Sequence, residues 1–292
     1  MQPLPDLSIR QLEYLVAVAE EPTWAVAAHR VGVSASALSQ GLAELERRVG
    51  VTLFDRDGRR RTVRPGASPV VAHARQVLGL THDLAEWADR LRTGRSGALR
   101  LGMIDAAAVV HYPDQLRRYR SEHPDVDLRL RVAPSAQLLD LLVAGDLDLV
   151  VCVEPPTQVD GIEVTAVLTE DLAVYGPPDV RPGSPATWGP WVLFPAGSHT
   201  RAIVVEELRQ LGAPIDVVAE SHQPEVLREM VQLGVGWTVL PTSQAEHGDR
   251  PLQRRRTLTT RRLVLATRAG SVRDPAADQL SHVLADVRPG ST

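Results

Sequence analysis

A chain of 292 residues, 43% apolar and 23% charged, holds material for two domains and a sizeable core. All 32 basic residues are arginine and the one cysteine is Cys152, which excludes Schiff-base, P-loop and kinase-type chemistry, disulfide frameworks and zinc sites of paired cysteines. The net charge of −4 divides unevenly: residues 1–95 hold 13 Arg against 11 Asp and Glu, residues 96–292 hold 19 against 25, and residues 47–64 hold seven Arg against two Asp. No apolar run approaches a membrane span and no signal-peptide pattern opens the chain, so a cytoplasmic protein is expected.

Taken in order, Ser8 and Gln11 predict a capping box that opens a helix with Ile9, Leu12, Val16 and Ala19 as its buried stripe and Pro22 beyond its end. A short helix over 23–30 follows, striped by Trp24, Ala27, Ala28 and Val31, with Gly32 in the connection. Ser34 caps a third helix whose Leu38, Leu42, Leu45 and Val49 recur at steps of four, three and four. Two closely packed helices joined by three or four residues have the layout of a helix-turn-helix, whose second helix lies in the DNA major groove. Next, Asp57-Gly58 signals a hairpin, and Arg59, Arg60 and Arg61 make it a wing for the DNA backbone. From Ser68 a long helix is expected, with Val70, Ala74, Val77, Thr81, Leu84, Ala88 and Leu91 alternating at four and three, a dimerising coiled-coil signature.

The stretch 94–97, Gly-Arg-Ser-Gly, marks the domain boundary. Beyond it strands near 99–103, 127–132, 147–153, 171–175, 191–194, 215–219 and 235–240 alternate with helices, which predicts a parallel α/β sheet. The alternation fails around 155–170 and 241–262, so two lobes joined by crossovers are expected.

Several stretches resemble the LysR-type transcriptional regulators: Arg10-Gln-Leu-Glu-Tyr-Leu-Val-Ala-Val-Ala-Glu20, Val33-Ser34, Ala37-Leu38-Ser39, Leu53-Phe54-Asp55-Arg56, Gly145-Asp-Leu-Asp-Leu149 and Val231-Gln-Leu-Gly-Val-Gly-Trp-Thr-Val-Leu-Pro241. The resemblance implies a winged helix-turn-helix over 1–66 and a dimerising linker helix over 67–95. It also implies a two-lobed, Rossmann-like effector domain over 96–292, with lobe I at about 97–167 and 241–270 and lobe II at about 168–240. Double-stranded promoter DNA, a small-molecule effector and a homodimer, further assembled into a tetramer, are the implied partners; no cofactor, metal or membrane is.

Against the pattern of that family, Ala35, Gln40 and Gly41 stand where polar or basic groove-reading residues are common. That leaves Ser34, Ser36, Ser39, Gln40 and Arg47, with Arg59, Arg60 and Arg61, as the expected DNA-binding residues. For the effector, ligands of such folds bind beyond the carboxyl ends of strands. Asp105, Ala106, Ser135, Ser198, His199, Thr200, Arg201 and His222 stand on such stretches. Ser135, Ser198, Thr200 and Arg201 could hold a carboxylate, whereas Asp105, beside Ala106-Ala107 where the resemblance implies a hydroxyl residue, disfavours a simple carboxylate and favours an amine or a hydroxyl on the ligand. Trp188, Trp191 and Trp237 fit either the pocket or the core. An enzyme lacks support, because the chain has neither Gly-x-Ser-x-Gly nor a complete dinucleotide fingerprint. A solute-binding protein would leave 31–64 unexplained.

Overall fold

The computed structural model of this chain describes residues 6–57, 60–93, 98–181, 183–248, 250–272 and 274–286. It divides into two compact units, one chiefly the residues up to Asp89 and the other chiefly those from Arg90.

In the first unit, α1 (Ile9–Glu20) opens with the capping box: Gln11 N–H donates to Ser8 Oγ at 3.2 Å and Ser8 N–H to Gln11 Oε1 at 3.1 Å. Thr23 caps α2 (Trp24–Arg30) and Ser34 caps α3 (Ala35–Val49), each accepting from the N–H three residues on. Helix α3 ends where Gly50 adopts φ +78°, a left-handed turn that favours glycine. Leu38, Leu42 and Leu45 are fully buried, together with Leu15, Ala27 and Leu53. Of the expected α1 stripe, Leu12 and Val16 are buried and Ala19 is half-buried, while Ile9, on the first turn, is exposed, and Tyr14, Leu15 and Val18 are buried as well. The reason is that α1 packs against both α2 and α3, so its covered face is wider than one stripe.

Gly41 is where that packing is tightest. A Cβ there would stand 2.7 Å from the Tyr14 ring. Helix propensity alone predicts that Gly41→Ala stabilises by about 1 kcal/mol. The contact predicts the opposite, a loss of about 1–3 kcal/mol from overpacking. Urea unfolding decides between them, and a more stable variant would refute the contact argument.

Strands β1 (Phe54–Asp57) and β2 (Arg60–Val63) form the antiparallel hairpin, and Asp57 closes β1 opposite Arg60 rather than standing in the turn. Its base is fixed to α3, since Glu46 Oε1 accepts from Leu53 N–H at 2.7 Å and Phe54 N–H at 3.3 Å. Trp24 meets Phe54 edge to face at 5.2 Å. A 3-10 turn over Pro65–Ala67 leads into α4 (Ser68–Thr93). The expected seven-residue stripe divides into two. Val71 and Ala74 are buried in the N-terminal core, with Val70, Val77 and Leu78 packed on it. Farther on, Leu80, Leu84 and Trp87 are exposed.

The second unit is built on a six-stranded mixed sheet of order β4-β3-β5-β10-β6-β9. Its strands are β3 (Ala98–Met103), β4 (Asp127–Val132), β5 (Leu149–Val153), β6 (Ile162–Tyr175), β9 (Thr238–Pro241) and β10 (Arg254–Arg268). Strands β3, β4 and β5 are parallel; β10 runs antiparallel to both β5 and β6, and β6 to β9. The all-parallel expectation is therefore corrected. The stretches where the alternation fails run into the long strands β6 and β10, which pair with each other from Ile162↔Arg268 to Tyr175↔Arg254. Their outer halves are rich in Thr, Glu and Arg and largely exposed, so they lack the buried apolar run that marks β5.

Helices α5 (Pro113–Glu122) and α6 (Ser135–Ala144) connect the parallel strands, and a π-helical turn at Ala107–His111 precedes α5. Strands β7 (Trp191–Leu193) and β8 (Val217–Glu220) pair in parallel and flank α7 (His199–Gln210). Helix α8 (Pro224–Gln232) leads to β9, the short α9 (Thr242–Ala245) follows it, and α10 (Pro275–Ala285) follows β10. Trp188, Trp191 and Trp237 all belong to the core: Trp188 stacks on Trp237 at 5.9 Å, and Trp191 Nε1 donates to Pro214 O at 2.7 Å. Cys152 is fully buried on β5, and burial pushes its thiol up to about 12.

Candidate functional sites

On α3, the face away from the Leu38–Leu42–Leu45 core exposes Ser34, Ser36, Gln40 and Arg47, with Ser39 half-buried. Ala35, Ala37 and Ala43 are exposed on the same helix, so much of its solvent face is small. Gly41 points at Tyr14 and is not part of that face. Arg47 and Arg48 both bond Glu44 at 2.5 Å, and these hydrogen bonds hold the Glu44 carboxyl at about 2. In the wing Arg64 pairs with Asp55 at 2.6 Å. The basic stretch 47–64 is thus less positive than its count, because Glu44 lies just outside it in sequence and inside it in space. Arg59 lies outside the described residues; Arg60 and Arg61 are on β2.

The second unit holds a cleft of about 290 Å³. Its walls are the carboxyl ends of β3 (Ile104, Asp105, Ala106), β4 (Val132, Ala133, Pro134), β5 (Val153) and β7 (Phe194), with the starts of α6, α7 and α8. Of the eight residues expected at an effector, Asp105, Ala106, Ser135, Ser198, Thr200 and His222 line it. His199 and Arg201 do not, because each is committed elsewhere. His199 Nδ1 stands 3.1 Å from Val153 O, which only accepts, so that nitrogen carries the proton. Arg201 Nη1 donates to Phe194 O at 2.7 Å and to Glu220 at 3.3 Å, tying the loop after β7 to β8.

Two further lining residues carry no local sequence signal. Gln244 on α9 donates to Asp105 Oδ2 at 2.9 Å. Arg261 on β10, about 4% exposed, donates through Nε to Glu170 Oε1 at 2.7 Å and through Nη1 to Thr200 Oγ1 at 2.7 Å. Glu170 Oε2 also meets His111 Nε2 at 3.0 Å and accepts from Ser243 Oγ at 2.9 Å. Burial alone would raise the Glu170 carboxyl, but the Arg261 charge and the His111 contacts outweigh it and hold it at about 2. Asp105 is the opposite case. Burial and repulsion from Glu225 raise its carboxyl, and only the Gln244 amide opposes them.

Among the described residues no helix is long and apolar enough to cross a membrane, and no cluster of three His, Cys, Asp or Glu is placed to hold a metal ion. Residues 9–67 match the family described as "Bacterial regulatory helix-turn-helix protein, lysR family", and residues 92–288 match "LysR substrate binding domain". A "Probable hydrogen peroxide-inducible genes activator" of Streptomyces viridosporus is 30% identical over 95% of this chain and 93% of its own. A full-length OxyR variant of Pseudomonas aeruginosa superimposes with a TM-score of 0.61 at 25% identity, over 96% of this chain and 94% of its own. Full-length CbnR complexed with its target DNA does so at 0.58 and 20% identity, over 95% and 99%.

Proposed function

This chain belongs to the LysR family of transcriptional regulators, and from that premise we propose that it binds its operator as a homo-oligomer assembled through α4, with its effector held in the cleft of the second unit. It is a DNA-binding regulator with an effector-binding domain. The proposed division is DNA binding over 1–66, the linker over 67–95 and effector binding over 96–292 in two lobes. The family is one of regulators rather than enzymes, and we read this member as a non-catalytic, cytoplasmic protein.

The observation that carries the DNA reading is α3 itself. Ser34 caps it, Leu38, Leu42 and Leu45 anchor it, and its outer face offers Ser36, Ser39, Gln40 and Arg47 to a major groove. Fluorescence anisotropy on the intergenic DNA beside the gene, titrated across salt with a random fragment of equal length as control, tests it. Selective binding with a steep salt slope is expected; equal, weak binding to both fragments would count against α3 as a base-reading helix. In the same assay Arg60→Ala weakens all sequences alike and lowers the salt slope by about one, while Gln40→Ala changes which sequence is preferred. An unchanged slope for Arg60→Ala removes the wing from the interface.

The peroxide response named for the Streptomyces viridosporus relative does not carry over through thiol chemistry. The chain holds one cysteine, which forms no intramolecular disulfide, and its thiol is buried and largely protonated at neutral pH.

A further inference from the structure

We propose that the effector of this protein is an amphipathic amine, its ammonium seated on Asp105 and its apolar body lying along Phe194 and Val132. The inference rests on the cleft being the effector site and adds the chemical class of the ligand. Three ionisable side chains line the cleft: Asp105, His222 and Arg261. Arg261 is the cation that would receive an anionic ligand, but it is already engaged. Its Nε and Nη2 sit 2.7 and 2.6 Å from Glu170 Oε1, and its Nη1 donates to Thr200. The Arg261–Glu170 pair therefore brings no net charge to the wall.

Asp105, by contrast, has a neutral amide as its partner, Gln244 at 2.9 Å. Glu225 adds negative charge nearby, and it stands in the first turn of α8, where it already matches the positive end of that helix. A carboxylate entering the cleft meets the Asp105 carboxyl with Glu225 behind it and no uncommitted arginine, so its only partners are His222 and the starts of α6, α7 and α8. An ammonium completes the charge-assisted hydrogen bond that Asp105 lacks. The domain around the cleft has the same sign, with 19 Arg against 25 Asp and Glu over residues 96–292, which concentrates cations near its surface. Beside the polar Ser135, Ser198, Gln223 and Gln244, one side of the wall is apolar, with Val132, Val153 and Phe194, and a volume of about 290 Å³ suits a small ligand rather than a polymer.

The test uses the full-length protein and matched probes: 2-phenylethylamine against 3-phenylpropionate, with a series of alkylamines against the corresponding acids. Thermal unfolding and anisotropy on operator DNA are read for wild type and Asp105→Asn, a variant that keeps the volume and can still accept from Gln244. Amines are expected to raise Tm and alter DNA binding, acids are not, and Asp105→Asn is expected to weaken the amines at least tenfold. The comparison on wild type stands even where the variant folds poorly. Stabilisation by acids, undiminished in Asp105→Asn, overturns the amine class and leaves the cleft as effector site. No stabilisation by either series overturns it too, and His222→Trp, a bulky change at an exposed residue of the wall, then judges the underlying reading. If a metabolite library alters DNA binding of wild type and of His222→Trp alike, the cleft itself is not the effector site.

Discussion

Replacing Glu170 by Gln is expected to destabilise the effector-binding domain by about 3–5 kcal/mol, because it leaves the buried Arg261 guanidinium without its counter-charge. Both side chains are about 5% exposed or less, so solvent screens them little. The titration argument gives the same size. The folded carboxyl is held at about 2 against an ordinary 4.5, which corresponds to roughly 3 kcal/mol at neutral pH. Since the folded value is the lower one, this contribution is complete above about pH 5 and fades as pH falls toward 2. Urea unfolding of wild type between pH 7 and 3 should therefore show the loss, and Glu170→Gln should show a flatter profile. Asp171→Asn, one residue on and exposed, serves as the control and should lie within about 0.5 kcal/mol of wild type. A Glu170→Gln protein as stable as the control would mean that the pair is not buried as described.

The charge pair also marks what the sequence conceals. Glu170 and Arg261 are 91 positions apart, and each stands in a stretch of Thr, Arg and Glu that reads as a break in the α/β pattern. Nothing local announces that the two stretches are long strands paired side by side. By contrast, the helix-turn-helix was legible because its signals are local: Ser8 with Gln11, and Ser34, each act within three residues. The cleft was legible in part for a related reason. Strand ends followed by helix starts are visible in sequence, and six of the eight residues so chosen line the wall. His199 and Arg201 stand on such a stretch too, but backbone carbonyls of Val153 and Phe194 claim them, and carbonyls have no residue-type signature. Gly41 was legible as a departure from the family pattern and not as a packing position, because its meaning lies in Tyr14, a neighbour from another helix.

Leu84→Glu combined with Trp87→Glu is expected to leave each subunit folded while lowering affinity for a full operator by a factor on the order of 10² or more. Leu84 and Trp87 are 54% and 41% exposed on α4, and with Leu80 they form a track at steps of four and three. Surface substitutions of this kind cost about 0.5 kcal/mol or less in the isolated chain. The first half of the helix behaves differently: Ala74 is wholly buried in the N-terminal core, and a charge there would unfold the domain instead of separating subunits. Under the proposed pairing of α4 helices the second DNA contact becomes an intramolecular one, so losing it should bring full-site affinity down toward that of a half-site and leave half-site binding unchanged. Sedimentation velocity read beside anisotropy on full and half sites separates the outcomes. Unchanged sedimentation together with unchanged full-site affinity would remove α4 from the subunit interface. A fall in both full-site and half-site binding would mean that the substitutions had disturbed the DNA-binding domain itself.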